Sequence, residues 1–360
     1  MGAWPLFSKR ELSAALQELE ALLAATPQGA RQVTVIGPKG GGTKTSTVAA
    51  VLHLLSDRVV GMVVGVDCNA DKGTLTQRIG MASSQVPSRL LTLAQNPSTV
   101  QFLLDLSAYL DRVGRIHLLH NDGVPSRQVD RITREQYSEL LVLLSHYAEI
   151  TFVDTGTSMV HPSTLAALDG ADHVVIAAAA EPPALQITTE GVAELVDLGY
   201  GPLISRSTIV ATVTDPGARP EAYTKGVDFF AARCGHVQIV PYDRAAGAVG
   251  AIRWNRLHAA TELAYTRIAG SITRALIPAR EAAADRKSAY SPVIRRESAA
   301  SRWAPLAADV SEVPDGNHEP ETPRPSPGRL IAASETPRAD SVQPLPAWAL
   351  GGRDDSHTDG

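Results

Sequence analysis

Cysteine is nearly missing from this chain: it has two in 360 residues, Cys68 and Cys234, far apart and in unlike surroundings. That scarcity argues against a disulfide framework or a cysteine zinc site and suits a reducing cytoplasm. No run approaches the ~20 consecutive apolar residues that cross a bilayer. The first residues also lack a charged stretch leading into an apolar one. A soluble, cytoplasmic protein is expected. Positive charge is not in excess either, the formal net charge being −5, so no global field would hold nucleic acid or an anionic membrane. No internal repeat is visible. Ser/His/Asp hydrolase chemistry has no support: there is no nucleophile-elbow glycine pattern. His120, His161, His173 and His258 are scattered and read as structural or surface residues.

What the chain does have is length enough for a full core and an alternation of two kinds of segment. Residues 8–25 read as an amphipathic helix on the domain edge. Ser8 and Glu11 stand in capping-box relation, and Leu12, Leu16, Leu19 and Leu23 recur at helical spacing. From 32 to about 280, β-rich apolar runs at 32–36, 59–66, 115–120, 150–153, 173–178, 207–213 and 237–240 alternate with helical stretches. Several runs are apolar without alternation, as strands covered on both faces should be. The pattern predicts an α/β fold with a doubly wound, mainly parallel, seven-stranded sheet flanked by helices, and a ligand at the carboxyl ends of the strands. Ten of the 24 prolines fall after residue 281, in a segment with few large apolar residues that is expected to stay disordered. The expected organisation is an arm and helix over 1–30, a main domain over 31–280 and a Pro-rich tail over 281–360. The cluster Leu345-Pro346-Ala347-Trp348-Ala349-Leu350 is the one apolar island of that tail.

The most informative stretch is Pro38-Lys39-Gly40-Gly41-Gly42-Thr43-Lys44-Thr45-Ser46, between the first apolar run and a helical segment. Strand, glycine-rich turn and helix in that order form a phosphate cradle: backbone N–H groups close round an anion, and the helix N-terminus adds its positive dipole end. Lys44 would reach the β/γ-phosphates and Thr45 would place its hydroxyl on Mg²⁺. Lys39 is an extra cation where the ordinary loop needs none. Two further elements follow in chain order. Asp67-Cys68-Asn69-Ala70-Asp71-Lys72-Gly73-Thr74-Leu75 begins at the end of the second run, where a carboxylate can hold a metal-bound water or orient an attacking one. Asp154-Thr155-Gly156-Thr157 ends the fourth run as a carboxylate presented to Mg²⁺ is presented.

Lys39-Gly40-Gly41 through Lys44-Thr45, then Asp67, then Asp154-Thr155-Gly156 resemble the deviant Walker A ATPases of the ParA/MinD group. The resemblance extends through Asp172-His173-Val174-Val175-Ile176 and Val240-Pro241-Tyr242-Asp243. Within that group the chain looks most like the MinD-like ATPases associated with type VII secretion. The resemblance implies an ATP- and Mg²⁺-dependent sandwich homodimer in which Lys39 crosses to the partner's phosphates. Lys44 would serve its own subunit's phosphates, Thr45, Asp67 and Asp154 the metal, and Pro241 the neighbourhood of the adenine. Gly40, Gly41, Gly42, Thr43 and Ser46 would complete the phosphate cradle, and Asn69 and Asp71 would join Lys39, Lys44 and Asp67 in hydrolysis. Three positions depart from the family: Thr43 replaces a glycine, Asn69 an aspartate, and Thr212-Val213-Thr214-Asp215 an asparagine-containing strand end. An amide positions water but cannot act as a base.

The expected role is a nucleotide-dependent dimer switch that a protein partner senses, in type VII secretion-associated assembly or in partitioning of DNA or other cargo. The alternative is a degenerate nucleotide-binding scaffold without significant hydrolysis. Arg253, Arg256, Arg267, Arg274 and Arg280 offer nonspecific DNA a contact through phosphates. The apolar stripe at 263–279 reads as a closing helix packed on the sheet rather than a membrane helix.

Overall fold

A computed structural model describes residues 9–26, 29–38, 43–69, 73–81, 89–122, 124 and 126–277, excepting the side chains of 220–222. Lys39, Gly40, Gly41, Gly42, Asp71, Ser8, Arg280 and the segment 281–360 lie outside them. Eight strands form one sheet: β1 Arg31–Ile36, β2 Met62–Asp67, β3 Asp111–Val113, β4 Ile116–Leu119, β5 Ala148–Asp154, β6 His173–Ala179, β7 Thr208–Thr212 and β8 His236–Val240. Their order is β3-β4-β2-β5-β1-β6-β7-β8. Every pairing is parallel except β3 with β4.

All seven expected strands are present, and β3 is an addition. Its three residues carry no apolar run. It forms because a two-residue hairpin, Gly114-Arg115, folds it back on β4 with Gly114 at φ +59°. The second strand also starts later than residue 59. The Val59 amide donates to the Leu55 carbonyl at 2.8 Å, so it closes the preceding helix and leaves the sheet to begin at Met62.

Alternation along the strands divides the core. On one face Val33, Val35, Val175 and Ala177 pack with the helices Thr43–Ser56 and Ala259–Leu276. On the other, Val64, Val66 and Val153 meet the helix Arg134–Ser145, and Ile36, Val174 and Ile176 pack in the cluster that holds Leu185 of the helix Pro182–Leu195. Strands covered on both faces need apolar side chains at successive positions, which is why the runs lack alternation. The helix Thr43–Ser56 is buried on nearly every side, because Ala259–Leu276 covers the side turned from the sheet. The stripe Leu263, Ile268, Ile272 and Leu276 is buried there, as a closing helix requires. The amphipathic helix Lys9–Ala25 packs in turn on Ala259–Leu276, with Leu19 in the same core. Among the described residues no helix is long and apolar enough to cross a membrane.

At the amino end of β6, His173 is buried and its Nε2 lies 2.9 Å from the Thr208 hydroxyl, which in turn lies 2.9 Å from the Ser271 hydroxyl. Burial pushes its pKa down from 6.5 to about 4, with Arg206 and His236 adding to the effect. Such a base is neutral in the fold and protonated in the unfolded chain between those values, so stability falls as the pH drops through that window. The loss amounts to up to about 3 kcal/mol. Denaturant unfolding at pH 7 and pH 4.5 is therefore expected to show a smaller stability difference for His173→Gln than for the wild type.

Candidate functional site

Three strand ends meet at the centre of the carboxyl edge. Parallel register sets Val35 of β1 beside Asp154 of β5, and Asp154 beside Asp67 of β2. The loops beyond are tied to the same edge. The Cys68 amide donates to the Asp154 carbonyl at 2.9 Å, and the Thr155 amide and hydroxyl donate to the Val35 carbonyl at 3.2 and 3.0 Å. Gly37 follows β1, and a Cβ there would collide with the Ala177 carbonyl oxygen and meet Lys44 Cγ at 3.2 Å. The missing side chain lets Lys44 lie along the strand end, where its Nζ donates to the Gly37 carbonyl at 2.8 Å. Gly37 was not singled out in the sequence, since nothing in a lone glycine before a proline announces a packing requirement.

Lys44, Asp67 and Asp154 are all buried, at 8%, 1% and 1% exposure. Burial holds the Lys44 ammonium below its ordinary pKa against the opposing pull of Asp154. Burial also raises the Asp67 carboxyl, and Asp154 beside it raises it further. The Asp154 carboxyl is raised by burial too, against a hydrogen bond from Thr45 and the charge of Lys44. Asp67 accepts from the Asn69 amide and the Leu75 amide, both at 3.1 Å. Asp154 Oδ1 is buried with no hydrogen-bond partner. Two acids and one base in a low-dielectric pocket leave negative charge uncompensated when ionised, which disfavours that state. An orphaned carboxylate oxygen beside the Thr45 hydroxyl is a donor set that suits Mg²⁺, a hard cation taking oxygen ligands. No group of three or more His, Cys, Asp or Glu among the described residues is placed to hold a metal, so the remaining ligands would be phosphate oxygens and water.

No family model matches the chain. It resembles the crystal structure of a ParA family ATPase from Chlorobium tepidum TLS with TM-score 0.53 and 16% identity, over 70% of this chain and 97% of that one. It resembles the Pyrococcus furiosus cell division ATPase MinD with TM-score 0.51 and 19% identity, over 67% and 98%. It also resembles cobyrinic acid a,c-diamide synthase from Mycobacterium smegmatis, solved with a bound ATP analogue and magnesium, with TM-score 0.51 and 18% identity over 68% and 95%. The chain has the ParA/MinD P-loop NTPase fold. In sequence it is 23% identical over 233 residues to the ESX-1 secretion-associated protein EspI of Mycobacterium tuberculosis. It spans 34% of the length of that relative.

Other residues singled out in the sequence lie farther along the same edge or in the helix that follows β1. Thr43 is the first residue of its helix and is buried. Asn69 is half-buried, and its Oδ1 is 3.5 Å from where a Cβ on Gly156 would stand, so its amide faces the turn after Asp154. Ser46 is buried, and its hydroxyl accepts from Arg78 at 2.8 Å. Pro241 is buried just past β8, three strand spacings from β1, or about 14 Å along the edge. Asp243 then fixes the chain that follows. Its carboxylate accepts from the Ala245 amide and the His258 amide, both at 2.8 Å, and these bonds outweigh burial to lower its pKa. The histidines hold structure: Asp111 lies 2.8 Å from His120, and His161 caps the helix Pro162–Asp169.

Gly73 is the second glycine whose place in the site only the coordinates show. A Cβ on it would overlap the Asp67 carboxylate. Gly73→Ala is expected to destabilise the protein by about 1–3 kcal/mol in denaturant unfolding. At Gly247 a new Cβ meets nothing within 4 Å, and Gly247→Ala should stay within about 0.5 kcal/mol of wild type.

Proposed function

We propose that this chain binds ATP with Mg²⁺ and uses slow hydrolysis to ADP and phosphate to switch a homodimer between associated and separated states. The observation that carries the reading is the convergence of Lys44, Thr45, Asp67 and Asp154 at one carboxyl edge, at the start of a buried helix. A fold that serves a ParA family ATPase, a cell division ATPase and a diamide synthase does not choose among activities; the side chains must. Among the described residues Lys44 donates one hydrogen bond, to a neutral carbonyl, and its other N–H donors suit phosphate oxygens. Thr45 and the free oxygen of Asp154 would hold the metal, which when bound neutralises the phosphate charge that builds in the reaction. Asn69, turned toward the Asp154 loop, would position the attacking water without taking its proton, which accords with slow turnover. Lys39, which lies outside the described residues, would cross to the other protomer's phosphates, so that nucleotide joins the two copies.

The likeness to a protein named as ESX-1 secretion-associated favours a role in assembling a secretion apparatus over partitioning of DNA. The arginines also weigh that way. Among the described residues of that set Arg253, Arg256 and Arg267 are exposed and Arg274 is spent on Glu18, and three scattered guanidinium groups make a thin phosphate-binding surface.

Size measurement with and without ATP–Mg²⁺ tests the switch. Wild type should move from monomer to dimer, and Lys39→Ala should bind nucleotide yet stay monomeric. Lys44→Ala should lose affinity by about 100-fold or more, as for a buried charge pair deprived of one partner. A wild type that stays monomeric with nucleotide bound sinks the switch. Phosphate release no faster from wild type than from Lys44→Ala removes hydrolysis and leaves a binding scaffold.

A further inference from the structure

Arg78 lies on the short helix Leu75–Ile79, just past the loop that begins at Asp67. Its guanidinium is partly buried and desolvated, which lowers its pKa. It donates to the carbonyls of Ala246, of Ala248 at 2.5 Å and of Gly250 at 3.0 Å, and to the Ser46 hydroxyl at 2.8 Å. Its own carbonyl accepts from the Ile252 amide at 3.0 Å. One side chain thus joins three separate parts of the site: the loop carrying Asn69, the first turn of the phosphate-loop helix, and the segment after Pro241.

Two features of this arrangement remain unexplained by packing. No carboxylate among the described residues lies within ion-pair distance of Arg78. All its acceptors among the described residues are neutral, and a desolvated cation without a counter-charge is costly unless an anion arrives nearby. The second feature concerns Ser46. A hydroxyl has one proton to give and two lone pairs to receive with. The Ser46 oxygen receives from Arg78, so its proton must point elsewhere, and no acceptor for it is found among the described residues. Ser46 is 9% exposed and stands two residues after Lys44, at the N-terminal end of a 14-residue helix.

We propose that Arg78 is a positioning residue of the nucleotide site: it holds the Ser46 hydroxyl so that its proton is given to a phosphate oxygen, and it pins the segment 246–250 to the same point. The proposal rests on the nucleotide-binding reading above and adds a residue to it. The positive charge behind the hydroxyl polarises the O–H bond and makes it the stronger donor to an anion. Because the three carbonyls are gripped by the same guanidinium, the segment past β8 and the phosphate-loop helix keep one spacing.

The test is a double-mutant cycle on the full chain, with ATP–Mg²⁺ affinity read by calorimetry for wild type, Ser46→Ala, Arg78→Gln and the double variant. Each single change should weaken binding by about 10-fold, as for a hydrogen bond to a charged group. The double variant should bind within about 3-fold of Ser46→Ala, because Arg78 acts through the hydroxyl that is already gone. Effects that multiply instead overturn the proposal and leave Arg78 a structural strut. If Arg78→Gln does not fold, Arg78→Lys carries the same cycle, since a lysine cannot serve four divergent acceptors. Should wild type itself ignore ATP, the nucleotide reading falls first. Should wild type bind and Arg78→Gln match it, only this inference falls.

Discussion

Parallel register across β2, β5 and β1 sets Asp67 beside Asp154 and Asp154 beside the strand that leads to Gly37 and Lys44. Placing two acids and a base in a dry pocket is expensive, and the molecule bears that cost only where the strands cannot slide. Each strand is held from both faces by apolar layers, so a register slip would turn buried valines and isoleucines out of the core. The hydrophobic core therefore fixes the spacing of the charges at the carboxyl edge.

The edge is reinforced by small features rather than by one strong contact. Gly37 and Gly73 remove side chains where Lys44 and Asp67 need room. Thr155 and Cys68 tie the loops after β5 and β2 to neighbouring strand ends. Farther along, Asp243 caps the chain after β8, and Arg78 fastens that same stretch back to the phosphate-loop helix. The nucleotide reading thus spans four elements that are remote in sequence. Trp254 belongs to this frame as well: its ring lies 6.0 Å from His53 and 6.4 Å from Tyr265, at the edge of the core.

Much of the fold was legible because buried parallel strands leave continuous apolar runs, and all seven recognised runs are strands. The short β3 left no such trace, since its existence depends on a glycine turn and on a neighbour to pair with. The start of β2 was misplaced for a related reason: Val59 and Val60 look like strand, but the Val59 amide bonds to the helix before it. At the site, Lys44, Thr45, Asp67 and Asp154 could be picked out because a glycine-rich turn before a helix and acids ending apolar runs leave a trace in the sequence, and the structure brings the four to one carboxyl edge. Arg78 was not, because an arginine on a five-residue helix has no motif, and its meaning lies wholly in the carbonyls it reaches.

Local chemistry written along the chain was sufficient to expect a glycine-rich turn between strand and helix, carboxylates at strand ends and a layered α/β architecture. These follow from short-range rules of period, turn and charge. Which side chains touch, which carboxylate oxygen is left without a partner, and which remote segments share one guanidinium depend on strand order and on packing between layers. Such contacts join residues as remote as Arg78 and Gly250, 172 positions apart, and no local pattern carries information over that separation.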